Sequence, residues 1–192
     1  MIFEVLQIIT EEVNGYFEGN PVSLDNIATL DSEGDNQNGT TDIVLSLLNT
    51  QEESTLKNDP NKFVNGNRVS LKNPKVNLNL YIIFGANHDS YAEALKSISK
   101  IIEFFQGKKV FTQANSIYDR DNVALSDITN FKFIVELYTP SFEELNFVWG
   151  TLGGKQIPSV LYKIRLIQIE RDTLLGKGGM ITEIGGELKH IE

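Results

Sequence analysis

The sequence predicts an α+β fold: a single domain in which a mainly antiparallel or mixed β-sheet packs with about three α-helices. Three observations lead there. Residues 43–49, 76–84 and 159–169 alternate apolar and polar side chains with a period of two. Residues 2–18 and 91–106 instead repeat apolar side chains at helical spacing. No internal repeat, heptad pattern or break in composition divides the 192 residues. Alternating strands imply a sheet with one wet face, which favours antiparallel pairing and places the helices on the other face.

Residues 2–18 read as an amphipathic helix, with Ile2, Leu6, Ile9, Val13 and Phe17 on one stripe and Gly19 as its stop. A short strand is expected over 22–30. The run DSEGDNQNGTTD (31–42) holds four acids and no base and reads as a solvated loop. The strand over 43–49 places Ile43, Leu45 and Leu47 on one face. A turn-rich passage, 57–75, contains Asn65-Gly66 between apolar residues, a hairpin signal. The strand over 76–84 puts Val76, Leu78, Leu80, Ile82 and Phe84 on one face, with Asn77 and Asn79 on the opposite one.

The second helix, 91–106, carries Tyr91, Ala94, Leu95, Ile98, Ile101, Ile102 and Phe105 on its apolar stripe. Ser90 and Glu93 form an S-x-x-E capping pattern before it, and Gly107 follows. A polar loop over 112–130 leads to a strand over 131–139. Ser141 and Glu144 repeat the capping pattern ahead of a helix ending near Leu152 at Gly153-Gly154. That helix carries the only Trp, with Leu145, Trp149 and Leu152 on a stripe that Phe142, Phe147 and Val148 broaden. Apolar nearly all round, it is expected to be buried on more than one side. The strand over 159–169 has Val160, Tyr162, Ile164 and Leu166 on one side and Lys163 and Arg165 on the other. Beyond Arg171 the sequence becomes Gly-rich, which divides the chain into a domain over 1–171 and an arm over 172–192.

Composition excludes whole classes of function. A net charge of −9 is opposite to the basic footprint of a nucleic-acid binder and gives no electrostatic hold on anionic lipid. Without Cys there are no disulfides, thiolate nucleophiles or Cys-held metals. His88 and His190 are the only histidines, too few for a His-rich metal site. The longest apolar run, 80–86, is far short of the roughly 20 residues that span a bilayer. The first residues have neither a basic start nor a cleavage site, so synthesis and assembly are expected in the cytoplasm.

Catalytic motifs fail on inspection. A phosphate loop ending at Gly154-Lys155 would need Gly at 149 and Ser or Thr at 156, where Trp149 and Gln156 stand. A dinucleotide fingerprint in the tail would need Gly where Ile181 stands. His88-Asp89 lies between a strand and a helix and reads as a loop residue beside a helix start. The paired acids Glu11-Glu12, Glu52-Glu53 and Glu143-Glu144 read as solvated faces, since sequence neighbours on a helix diverge. No catalytic, cofactor-binding or metal-ligating residue is assigned, and the chain is not expected to be an enzyme.

Four long segments in order, IVLSLLNTQEESTLKN (43–58), NPKVNLNLYIIFGAN (73–87), YAEALKSISKIIEFFQGKKVFT (91–112) and ELYTPSFEELNFVWGTLGGKQIPSVLYKIRLI (136–167), resemble the cap, or tail-terminator, family of extracellular contractile injection systems. The patterns FF-x-GK-x-VFT and LN-x-x-WGTLGGK-x-x-PSVLYK carry most of the specificity. The resemblance implies a tail-terminator-like fold and a structural protein. As a homohexameric ring it would end the inner tube and hold the last layer of contractile sheath on a phage-tail-like particle. Its partners would be itself, the terminal tube ring and the terminal sheath layer, with no nucleic acid and no membrane insertion. The particle would assemble in the cytoplasm and could be released from the cell. Some relatives continue into a further C-terminal region, and this chain is expected to be the shorter form. The alternatives are a neck or tail-completion protein of a contractile-tailed phage and, more remotely, a small-molecule enzyme.

Candidate interface residues follow from charge and from the tail. Residues 155–171 carry four bases against one acid, in contrast to the acidic run 31–42, and unlike surfaces permit head-to-tail ring contacts. Lys163 and Arg165 are therefore candidates, and Trp149 joins them from its apolar helix, read as core first and as a subunit contact second. In the tail, Leu174, Leu175, Met180, Ile181 and Ile184 are too apolar for a solvated linker, while its glycines oppose any long helix or strand. An arm ordering against a neighbouring subunit or the sheath is expected, with docking onto its own domain as the alternative.

Overall fold

The computed structural model describes residues 1–30, 42–56, 62–65, 68–119, 125, 131–169 and 174–179. In chain order the elements are α1 (Ile2–Tyr16), β1 (Val22–Leu24), β2 (Ile43–Glu52), β3 (Lys62–Asn65), β4 (Arg68–Lys72), β5 (Val76–Ala86), α2 (Tyr91–Gly107), β6 (Val110–Thr112), β7 (Lys132–Tyr138), α3 (Phe142–Thr151), β8 (Ser159–Ile169) and β9 (Leu174–Gly179). A six-stranded sheet has the order β1-β2-β5-β8-β7-β6, and a three-stranded sheet has the order β3-β4-β9. Among the described strands only β1 and β2 run parallel; every other pair is antiparallel. The α+β class and the mainly antiparallel sheet are therefore as the alternation predicts.

The helices, however, cover both faces of the large sheet. On one face Ile43, Leu45, Leu80, Ile82, Phe84, Tyr162 and Ile164 pack against α1 and α2. On the other, Val44, Ile83 and Leu161 pack under Trp149 of α3 and Ile27 of a short 3-10 turn, Ile27–Thr29. Because strand neighbours point to opposite faces, the apolar runs at 43–45, 82–84 and 160–162 require cover on both sides. Tilted and stacked aromatic rings, among them Phe84, Phe105, Phe111, Phe133 and Tyr162, fill the first core. Gly85 lies where β5 passes beneath Ile27 and Ile157; a Cβ there would come within 2.3 Å of Ile27 Cδ1.

Two bulges adjust the pattern of the large sheet. One lies in β2 between Leu47 and Asn49, so Leu47, expected in the core, is exposed. The other sets Leu78 opposite Ile167 and Leu80 opposite Ile164. It makes Ile167 the continuation of the core stripe, where strict alternation predicts Leu166. Asn77 and Asn79, expected on a wet face, are only 4% and 3% exposed. Asn77 Nδ2 donates to the Leu56 carbonyl at 3.2 Å and Asn79 Nδ2 to Glu53 Oε2 at 2.8 Å, beneath a second 3-10 turn, Ser54–Leu56.

The helices begin and end for different local reasons. α1 stops at Tyr16, and the chain reverses through Gly19 (φ +84°) and Asn20 (φ +53°) into β1. The strand expected over 22–30 ends at Leu24, because Asn26 caps the 3-10 turn and Ser46 Oγ accepts from Ile27 N–H at 2.8 Å. At α3 the capping box forms in full, with Ser141 accepting from Glu144 N–H and Glu144 accepting from Ser141 N–H. At α2 it does not: Ser90 makes no capping bond, and Glu93 instead pairs with Lys96 at 2.7 Å. Phe104 joins Ala94, Ile101 and Phe105 in the core, while Tyr91, Leu95 and Ile102 are exposed. The hairpin signal is realised by β3 and β4, and its Gly66 lies outside the described residues, as do residues 31–41.

Candidate interaction interface

The sheet face beneath α3 holds the second core and continues beyond it as an exposed surface. Tyr81, Glu136, Tyr138, Lys163 and Arg165 share that face by register, Tyr81 and Glu136 both lying opposite Lys163. Lys163 Nζ sits 5.5 Å from the centroid of the Tyr81 ring, which meets Tyr138 edge-on at 5.1 Å. Arg165 Nη1 donates to Glu136 Oε2 at 3.3 Å. An exposed ion pair contributes only about 0–1 kcal/mol, so these charges are no foundation of the fold.

α3 differs from its sequence reading in one respect. Trp149 is buried at 6% exposure, with Leu145 and Leu152 partly buried beside it, but the helix is not covered all round. Phe142 is 92% exposed and Phe147 73%. Phe142 is the first residue of the helix, and Phe147 lies off the 145-149-152 stripe, so neither joins the core beneath α3. Between α3 and the sheet an open groove of about 590 Å³ is lined by Leu47, Leu48, Tyr81, Tyr138, Phe147 and Leu152, among others. An exposed aromatic surface bordering a polar one is the composition of a recognition site. Trp149 supports it from below; its indole Nε1 has no hydrogen-bond partner among the described residues.

One carboxylate on this surface is strongly shaped by its neighbours. Glu53 accepts from Asn79 Nδ2 at 2.8 Å and from the Thr55 hydroxyl at 2.8 Å. The Asn79 bond foremost, then Thr55 and more distantly Lys163, holds its pKa down to about 2. All three favour the charged form.

The structure thus brings Trp149, Lys163 and Arg165 to one sheet face. Leu174 and Leu175 lie elsewhere, in β9, where Leu174 pairs with Lys72. The glycines do not prevent a strand over Leu174–Gly179, since pairing to β4 needs only main-chain groups. Met180, Ile181 and Ile184 lie outside the described residues. Tyr81 and Tyr138 were not singled out in the sequence, and Glu53 was read there, with Glu52, as part of a solvated face. A Tyr among apolar strand residues looks like core, and Glu53 gains its partner from a strand 26 residues away.

His88 Nε2 lies 2.8 Å from Ser97 Oγ, but its Nδ1 is 3.6 Å from Asp42 Oδ1, beyond hydrogen-bond reach. Ser97 stands inside α2, where the neighbouring amides serve the helix and cannot form an oxyanion hole. These contacts tie the end of β5 to α2. Among the described residues no group of three His, Asp or Glu could hold a metal, and no helix is long and apolar enough to cross a membrane.

Comparison with known proteins places this geometry. The sequence matches the family described as the Pvc16 N-terminal domain over residues 4–183. Its fold is similar to a PVC sheath/tube terminator in the extended state, from an extracellular contractile injection system solved by cryo-EM (TM-score 0.63, 13% identity). It is equally similar to the tube-terminating cap of the anti-feeding prophage (TM-score 0.63, 13% identity). The alignments cover 100% and 98% of this chain but 64% and 62% of those two. No curated protein matches the sequence.

Proposed function

The chain belongs to the Pvc16 N-terminal domain family, and from that premise we propose that it is a structural cap of a contractile injection particle. In this reading six copies form a ring on the distal end of the particle, close the inner tube and hold the last sheath layer. The role is mechanical rather than catalytic, and the partners are other copies of the chain, the terminal tube ring and the terminal sheath layer. Neither nucleic acid nor a membrane is a partner, and assembly takes place in the cytoplasm. The observation that carries the reading is the family match through residues 4–183, on a fold shared with two terminators.

Within the ring, the α3 face is our candidate contact surface, with Trp149 beneath it and Lys163 and Arg165 on its polar side. Residues 172–192 act as an arm, in which Leu174, Leu175, Met180, Ile181 and Ile184 supply the apolar contacts. Leu174–Gly179 pairs with β4 of the same chain, which shows that this segment can bind through its main chain, the mode the arm would use toward a neighbour. The test is a count and a position. Particles carrying a labelled version of this chain should show six copies at the end opposite the baseplate. Label along the shaft, or a stoichiometry of two or twelve at the end, would overturn the proposal.

A further inference from the structure

The outermost strands of the large sheet are β1 and β6, and an outermost strand ordinarily presents unpaired N–H and C=O groups to any other chain. Here each is met by one asparagine side chain. In β1, Pro21 O and Asp25 N–H bond to β2, so the main-chain groups of Leu24 point outward, as do those of Val22. Asn14, on α1, takes both of its groups: Nδ2 donates to Val22 O at 2.8 Å, and Oδ1 accepts from Val22 N–H at 2.8 Å. In β6, Lys109 O bonds inward to Val135 N–H, so Val110 and Thr112 point outward. Asn115 Nδ2 donates to Val110 O at 2.9 Å, and Asn115 Oδ1 accepts from Thr112 N–H at 2.7 Å. Thr112 O is taken by the amides of Asn115 and Ser116 at 3.2 and 3.0 Å.

A primary amide presents one donor and one acceptor, as a peptide group does. Asn14 therefore stands where a neighbouring strand's residue would bond. Asn115 bridges residues i and i+2, also as a neighbouring strand would. The two locks come from unrelated parts of the chain, a helix and a tight turn, yet act on the same kind of group at opposite ends of one sheet. α1 is itself fixed to the second lock, because Glu12 accepts from Lys108 Nζ and from Ile117 N–H at 2.7 and 2.6 Å.

We infer that Asn14 and Asn115 are edge locks that obstruct strand addition to the large sheet, at Val22 and along Val110–Thr112, by other chains, further copies of this chain above all. The inference is independent of the cap reading. Contacts between copies then fall to faces, helices or the small sheet.

The locks can be opened separately in the full chain. Asn14→Ala or Asn115→Ala frees one edge and should add pairing between two molecules beyond whatever assembly the parent shows. The double variant frees two edges and should grow open-ended, β-rich assemblies as concentration rises. Both would be read by analytical ultracentrifugation. Thr112→Pro, which removes the outward N–H at an edge position where Pro is tolerated, should return Asn115→Ala to parental behaviour. Folded variants that sediment like the parent at every concentration would overturn the inference. Should a variant fail to fold, amide exchange in the parent decides. The amides of Val22 and Thr112 should exchange as slowly as that of Ile43, which donates to Pro21 O within the ladder. Rapid exchange at both would show that the locks do not close.

Discussion

Trp149 carries the second core almost alone among α3 side chains, since it is the one buried residue of that helix. Truncating such an aromatic typically costs about 3–5 kcal/mol, against a total of about 5–15 kcal/mol for a domain. Trp149→Ala should therefore lower the denaturant midpoint of the isolated chain substantially. Trp149→Phe, which keeps most of the packing and removes the unpartnered indole N–H, should lose clearly less. Glu53 gives a pH prediction with a definite sign. Its folded pKa of about 2 lies below the ordinary 4.5, so the interaction is fully present above about pH 4.5 and is lost as pH falls toward 2. Parent and Glu53→Gln should accordingly converge in relative stability across that window. An NMR titration should find the Glu53 midpoint near 2 and see it rise toward 4.5 in Asn79→Ala. At this scale the sequence was partly legible. Trp149 as a buried residue is readable from the 145-149-152 spacing. The Glu53–Asn79 bond is not, because the β2–β5 register creates it.

Elements show the same division. The bounds of β8 and the capping of α3 can be read directly, because an apolar run and an S-x-x-E pattern each act over a few residues. The same four-residue pattern at α2 fails because Lys96 takes Glu93. Ser141→Ala should thus destabilise the chain by about 0.5–2 kcal/mol, while Ser90→Ala should be nearly silent. Thermal melts of the two variants side by side would show it; an equal loss in both would contradict the assignment. What escapes the sequence is β6, only three residues long, and β9, whose glycines hide a strand held by main-chain pairing. The bulge that brings Ile167 into the core also escapes, since a period-two reading has no way to count an extra residue. The two-sided cover of the sheet was legible in principle from the adjacent apolar pairs Ile43-Val44, Ile82-Ile83 and Val160-Leu161. Reading only every second residue conceals it.

The whole molecule is a two-sided sheet whose first face is a closed aromatic core and whose second face is half core, half exposed aromatic and charged surface. Family membership was legible although identity to the two similar structures is only 13%, because it resides in the order and spacing of long segments rather than in a catalytic motif. The contact surface was legible only in part: Lys163 and Arg165 stand out by charge, while the register alone brings Tyr81 and Tyr138 beside them. A cap that ends a growing tube must bind the tube on one side and offer no site for further growth on the other. Sheet edges obstructed by Asn14 and Asn115 are compatible with that requirement. The central claim, that this chain ends the particle, is tested most directly by the length distribution of particles assembled without it, measured by electron microscopy. Deletion should yield tubes and sheaths of broadly scattered length or unstable sheaths, restored to uniform length when the chain is supplied in trans. Particles of normal, uniform length and normal contraction in the deletion strain would contradict the account.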